Sequence, residues 1–213
     1  MHAYSERLAS DSEGRPKGER TRAQIQIAAC RVLEGNGPQD LTISSICEQA
    51  GVSNGTFYIY FLDRHALLDA LLTGFVAFLQ SSMRAASENR PDETIRAATR
   101  AYVDLFTHNR GLMRCLVHHL DGFPEAQGAF QRLNRDWIET VVAAVERKLQ
   151  RDGRAGAIAR PELLRRAYAL GGMVDQYLSN LLLSQDPNLA AVSQDREAVL
   201  DTLTLIWERG MTI

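Results

Sequence analysis

Residues 50–68 read AGVSNGTFYIYFLDRHALL and set four aromatics, Phe57, Tyr58, Tyr60 and Phe61, within five positions. A short helix crowded in this way has to satisfy a core on one side and a polar polymer on the other. On a helical wheel the crowding resolves into two sets. Phe57 and Phe61 stand four apart and face inward with Val52. Asn54 and Tyr58, also four apart, share another face with Gly55, flanked by Thr56 and Tyr60. Ser53 is placed to cap this two-turn helix, and Asp63 to cap the next.

Working outward, the apolar spacing turns helical from Glu19, where Ile25, Ala28, Ala29, Val32 and Leu33 recur at three and four. That helix stops at EGNGPQD (34–40), punctuated by Gly35, Gly37 and Pro38. Thr42 is an N-cap for a short helix carrying Ile43, Ile46 and Cys47 and ending at Gly51. Three short helices with a glycine turn before the third match a helix-turn-helix layout. In such a unit the third helix buries one face and offers the other to a DNA major groove.

The outward residues suit that task. Asn54 offers a donor and an acceptor to an adenine edge. Gly55 lets the backbone approach closely. The Thr56 methyl can touch a thymine methyl, and Tyr58 and Tyr60 can donate to phosphates. Arg64 can pair with phosphate. Thr42, Ser44 and Ser53 stand at the first turns of their helices, where free amides also meet phosphate.

The run DLTISSICEQAGVSNGTFYIYFLDRHALLDALL (40–72) closely resembles the DNA-binding motif of the TetR (tetracycline-repressor) family of bacterial regulators. Thr42, Ile46, Ala50, Gly51, Val52, Ser53, Gly55, Thr56, Phe57, Tyr58, Tyr60, Phe61, Asp63, Leu67 and Leu68 match its pattern, and RTRAQIQIAACRVLEGNG (20–37) resembles its first helix. Ile43, Cys47 and Arg64 depart from it; Arg64 keeps the positive charge of the usual lysine, while Ile43 gives up a hydroxyl. The resemblance is specific over residues 19–70 and architectural beyond. It implies a helix-turn-helix domain over 19–65, an effector-binding and dimerisation domain over 66–213, and an effector sensed by a shift of the fourth helix. It also implies a homodimer built from the last two long helices. A two-fold dimer in turn reads an inverted-repeat operator.

The rest of the chain reads as helices at about 63–87, 92–107, 110–120, 124–151, 161–184 and 195–209, with Pro91, Pro124 and Pro161 in first turns. Gly111, DGF, RDGRAG and SQDPN supply breaks. No period-2 strand stands out, so the fold class is all-α. Gly171-Gly172 sits mid-helix, where it permits close helix approach. An effector pocket, if built from aromatics and flexible apolar side chains, draws on Tyr102, Phe106, Met113, Leu116, His119, Phe123, Phe130, Trp137, Met173 and Tyr177. His118, Asp175 or Gln176 are its polar candidates, and the bias predicts a small hydrophobic effector.

Charge and composition bound the function. The net charge of −2 gives no global pull toward a polyanion, so DNA binding needs a local patch. Residues 1–65 carry 7 Lys+Arg against 8 Asp+Glu, but between Gly14 and Leu33 five positive charges meet only Glu19. That segment either follows the DNA backbone or minor groove, or is a solvated tail. Residues 1–18 are polar and read as a flexible arm.

Cys30, Cys47 and Cys115 are scattered and read as small buried hydrophobes in a reducing compartment. Cys115 and His118 lie one turn apart with no second pair, so no metal is expected. The start has no signal-peptide pattern, and the apolar stretch 66–79 reads as too short to span a bilayer, which together predict a cytoplasmic protein without a membrane partner. There is no glycine-rich phosphate loop, GxSxG or HExxH, so no cofactor and no enzyme activity are expected. The alternative is a helical small-molecule sensor, or an enzyme, that does not bind DNA. The Asn54–Arg64 face argues against it.

Overall fold

The structure is a computed structural model that describes residues 3–35, 40–118 and 123–212, and among these every regular element is helical. The elements are α1 (Tyr4–Ser12), α2 (Lys17–Gly35), α3 (Ile43–Ala50), α4 (Asn54–Tyr60), α5 (Arg64–Glu88), α6 (Thr94–His108), α7 (Arg110–Val117), α8 (Pro124–Arg151), α9 (Arg160–Leu178), α10 (Pro187–Val192) and α11 (Arg196–Met211). A 3-10 turn at Pro91–Glu93 precedes α6, and a π turn at Ser179–Leu183 extends α9. The all-α reading holds. The short helix α10 starts at the end of the expected SQDPN break and runs to Val192, where no helix is expected; Asp186 accepts from the amides of Asn188 and Leu189 and Pro187 opens the first turn.

The chain forms two compact units, Met1–Leu79 with Asp104–Phe130, and Gln80–Val103 with Gln131–Ile213. The first therefore extends well past the boundary expected at residue 65. Six residues of α5 explain this: Leu67, Leu68, Leu71, Leu72, Phe75 and Leu79 are fully buried and belong to the first unit. Helix α5 as a whole, 25 residues from Arg64 to Glu88, has the length and apolarity to cross a bilayer, which the stretch 66–79 alone does not. The burial of those six residues in protein gives the same composition a core role.

Tyr4 overturns the flexible-arm reading of residues 1–18. Its ring lies 5.5 Å from both Phe75 and Phe78, and its N–H donates to Asn109 Oδ1 at 2.7 Å. Gly74 makes room for the phenol, since a Cβ there would stand 2.1 Å from Tyr4 Oη. One buried aromatic anchors a helix that composition alone reads as solvated. Gly111 likewise is not a break but a helical contact in α7. A Cβ there would stand 2.5 Å from the Leu33 carbonyl carbon, and its N–H donates to Glu34 Oε2 at 2.7 Å.

Local capping explains the helix-turn-helix. Thr42 Oγ1 accepts from Ser45 N, and Ser45 Oγ accepts from Thr42 N, each at 3.1 Å. Gly51 ends α3 in the left-handed region at φ 64°, which favours glycine. Ser53 Oγ accepts from Thr56 N at 3.1 Å and starts α4. Leu41, Ile46, Phe57 and Phe61 fill the core beneath. The three cysteines are buried and unpaired, and burial pushes the thiols of Cys30 and Cys115 up to about 12, so both stay protonated.

Candidate nucleic-acid interface and effector cavity

In the first unit, α4 divides as the wheel expects. Phe57 is fully buried, while Asn54 and Gly55 are exposed and Tyr58 is 56 % exposed. Thr42, Ser44 and Ser53 are exposed as well. Thr56 is half-buried, with Oγ1 3.0 Å from Ser53 Oγ. Val52, expected inside, is only half-buried. Tyr60 is half-buried too, with its hydroxyl close to Gly18 at the start of α2, where a Cβ would stand 3.7 Å from the oxygen.

Two cations near this face lie over aromatic rings. The Arg64 guanidinium sits 5.2 Å from the Phe123 ring centre, and Arg22 sits 5.1 Å from that of Phe61. Such stacking fixes the plane of a guanidinium while leaving its N–H edges free to donate. Phe123 also lies 5.5 Å from the His65 ring, whose Nδ1 is 3.2 Å from Glu125 Oε1.

Sequence reasoning missed two apolar residues on this surface. Ile59 is 76 % exposed and Leu62 is 81 % exposed. Ile59 follows Gly55 by four residues, so the same wheel puts it on the outward side, although an isoleucine by type alone reads as core. An exposed branched side chain suits contact with thymine methyls.

In the second unit a cavity of about 1100 Å³ is lined by α5, α6, α8, α9 and α11. Ala98, Thr99, Leu133, Ile138 and Val174 give it a buried, mostly apolar wall, and Trp137 adds a half-buried ring. Arg84, Glu88, Arg147, Lys148, Arg151, Arg154 and Glu208 bring charges of both signs. Tyr102 donates to Asp175 Oδ1 at 2.6 Å. Asp175 is 7 % exposed, and burial pushes its carboxyl up to about 6. Burial, reinforced by the neighbouring Asp175 charge, holds the Tyr102 phenol well above its ordinary value.

Of the pocket candidates, Tyr102, Trp137 and Asp175 line this cavity. The others do not. Phe106, Met113 and Leu116 are fully buried and belong to the first unit, as does the half-buried Phe130. Phe123 supports Arg64 instead. Met173 is half-buried off the cavity, and the Tyr177 hydroxyl lies 2.7 Å from Ser193 Oγ. Gln176 bonds Asn180 at 2.8 Å, and His118 is exposed. His119 lies outside the described residues. A residue list shows which helix positions are aromatic, but not which helix face fronts a void and which a neighbour.

The glycine pair is also reassigned. Gly171 lines the cavity with its missing Cβ 3.7 Å from Ile138, and Gly172 has no atom within 4 Å of that position. Within the chain, the close approach of α9 to α11 is at Gly210, where a Cβ would stand 2.8 Å from Leu170. Among the described residues no group of three or more His, Cys, Asp or Glu is arranged to hold a metal ion.

Residues 26–71 match the family model described as bacterial regulatory proteins, tetR family. The chain is 27 % identical over 197 residues to the HTH-type transcriptional regulator EthR of Mycolicibacterium smegmatis, covering 91 % of this chain and 87 % of that protein. Among solved structures, the fatty acid degradation regulator FadR from Bacillus halodurans superposes with a TM-score of 0.69 at 15 % identity, covering 88 % of this chain and 94 % of that one. FadR from Bacillus subtilis, solved in complex with stearoyl-CoA, superposes with a TM-score of 0.60 at 19 % identity, covering 85 % and 96 %.

Proposed function

We propose that this chain, which belongs to the TetR family of bacterial transcriptional regulators, is a homodimeric cytoplasmic repressor released from an inverted-repeat operator by a small effector. The observation that carries the reading is α4 itself. Phe57 anchors it in the core, and Asn54, Tyr58 and Ile59 stand out from the same seven-residue helix. In the major groove that face reads base edges, while Thr42, Ser44, Ser53, Tyr60 and Arg64 hold the phosphates on either side.

Dimerisation through α9 and α11 is supported by their exposed apolar side chains, Tyr168 on the former and Leu205 and Ile206 on the latter. Two-fold symmetry then sets two copies of α4 one helical turn of DNA apart. The effector occupies the second unit's cavity, with its apolar part against Trp137 and Val174. Helices α5, α6 and α8 each contribute residues to both units without a break. An effector that favours one arrangement of these helices lowers operator affinity by a coupling of roughly 1–3 kcal/mol per site.

The test is a mobility-shift assay on a fragment from upstream of the protein's own gene. Tyr58→Ala is expected to weaken binding by about tenfold or more with the fold intact, because it removes an exposed contact on each of two half-sites. Equal shifts by variant and wild type would overturn the assignment.

A further inference from the structure

We infer that the effector is an amphipathic cation, with an ammonium or amidinium group received by the Asp175 carboxylate and an apolar body received by the wall of the same cavity. This rests on the reading of the cavity as the effector site and narrows it to a ligand class.

Asp175 is the only buried acidic or basic side chain among the described residues. The hydrogen bond described to its carboxylate comes from the Tyr102 hydroxyl, and no cation among the described residues pairs with it. A desolvated carboxylate in an apolar wall is costly unless it is paired and hydrogen-bonded. Tyr102 engages Oδ1 and leaves acceptor capacity on the group that lines the void. With its carboxyl pushed up to about 6, Asp175 is still ionised near pH 7.5. A ligand cation entering here supplies the missing charge and the remaining donors together.

Among the described residues no buried cation lines the cavity to receive an anionic head group in the way Asp175 would receive a cation, and a neutral alcohol supplies a donor but no charge. The exposed charges that line the cavity, among them Arg147, Lys148, Glu88 and Glu208, are of both signs and set no net preference against a cation. Leu133, Ile138 and Val174 form the buried apolar surface that the body covers, and Trp137 adds a ring face.

The experiment is calorimetric titration of the full chain at pH 7.5 with three probes of one shape: 4-phenylbutylamine, 4-phenylbutanol and 4-phenylbutanoate. The amine is expected to bind at least about tenfold tighter than the alcohol, and the acid weakest. In Asp175→Asn, which keeps an acceptor for Tyr102, the amine is expected to fall to the level of the alcohol, whose affinity stays within about threefold of wild type. Tyr102→Phe, which leaves the carboxylate in place, is expected to retain the preference for the amine. Equal binding of amine and alcohol, tighter binding of the acid, or an amine affinity indifferent to Asp175→Asn would overturn the cation assignment while leaving the cavity reading standing. Failure of all three probes to saturate the protein would overturn both.

Discussion

The hydroxyl of Tyr102 meets Asp175 Oδ1 at 2.6 Å inside a cavity wall, and this one contact stands in for the water that an exposed carboxylate would have. Burial moves the Asp175 carboxyl from 3.8 to about 6, so the folded protein holds that proton more tightly than the unfolded chain does. Stability from this group is therefore greatest at acid pH and is lost as pH rises from about 4 through about 6. At pH 8 the ionised group costs on the order of 3 kcal/mol. Asp175→Asn removes the titration, so unligated variant should be more stable than wild type at pH 8, with the gap closing toward pH 4. Urea melts at a series of pH values measure it; a gap independent of pH would remove the buried charge as its cause.

Tyr4 and Gly74 form a lock-and-seat pair whose two halves can be tested against each other. Removing the ring by Tyr4→Ala should cost about 3 kcal/mol, in the range for a buried aromatic. Gly74→Ala should also destabilise, because its new methyl would enter the space of Tyr4 Oη. In the Tyr4→Ala background the same Gly74→Ala change should cost much less. Additive losses in the double variant would show that the seat does not serve the phenol.

These two pairs mark where the sequence could be read and where it could not. Helix boundaries and the helix-turn-helix followed from caps and punctuation, since Thr42, Ser53 and Gly51 act through neighbours three or four residues away. Tyr4 was unreadable because its partners, Phe75, Phe78 and Asn109, lie far along the chain. The same holds for the cavity. Tyr102 and Trp137 line it and Phe106 and Met113 do not, although Tyr102 and Phe106 stand four apart on the same helix α6. Arg64 was legible as a cation at a helix start, but its seat on Phe123 was not, since that ring was assigned to the effector pocket.

Two helical glycines should respond oppositely to alanine. Gly111→Ala forces a methyl into the backbone of Leu33 and Glu34, which cannot rotate away, and should cost at least about 2 kcal/mol. Gly172→Ala meets open space and should raise the stability of the dilute protein by about 0.5–1 kcal/mol through helix propensity. Thermal melts of both variants decide this; a gain at position 111 would contradict the close packing of α7 on α2.

Arg64 and Phe123 should separate charge from orientation in operator binding. If Arg64 pairs with phosphate in each protomer of a dimer, as proposed, Arg64→Ala should make the slope of log affinity against log salt shallower by about 2. Phe123→Leu keeps the charge and the apolar volume but removes the ring beneath the guanidinium. It should leave the slope unchanged and weaken dimer binding by about fivefold to thirtyfold at every salt concentration, since each of the two stacked cations loses on the order of 0.5–1 kcal/mol of positioning. Titrations of labelled operator across a salt series read both quantities. A salt slope that shifts equally in the two variants would mean that the ring sets whether Arg64 reaches phosphate at all, and a slope unmoved by Arg64→Ala would take that residue out of the interface.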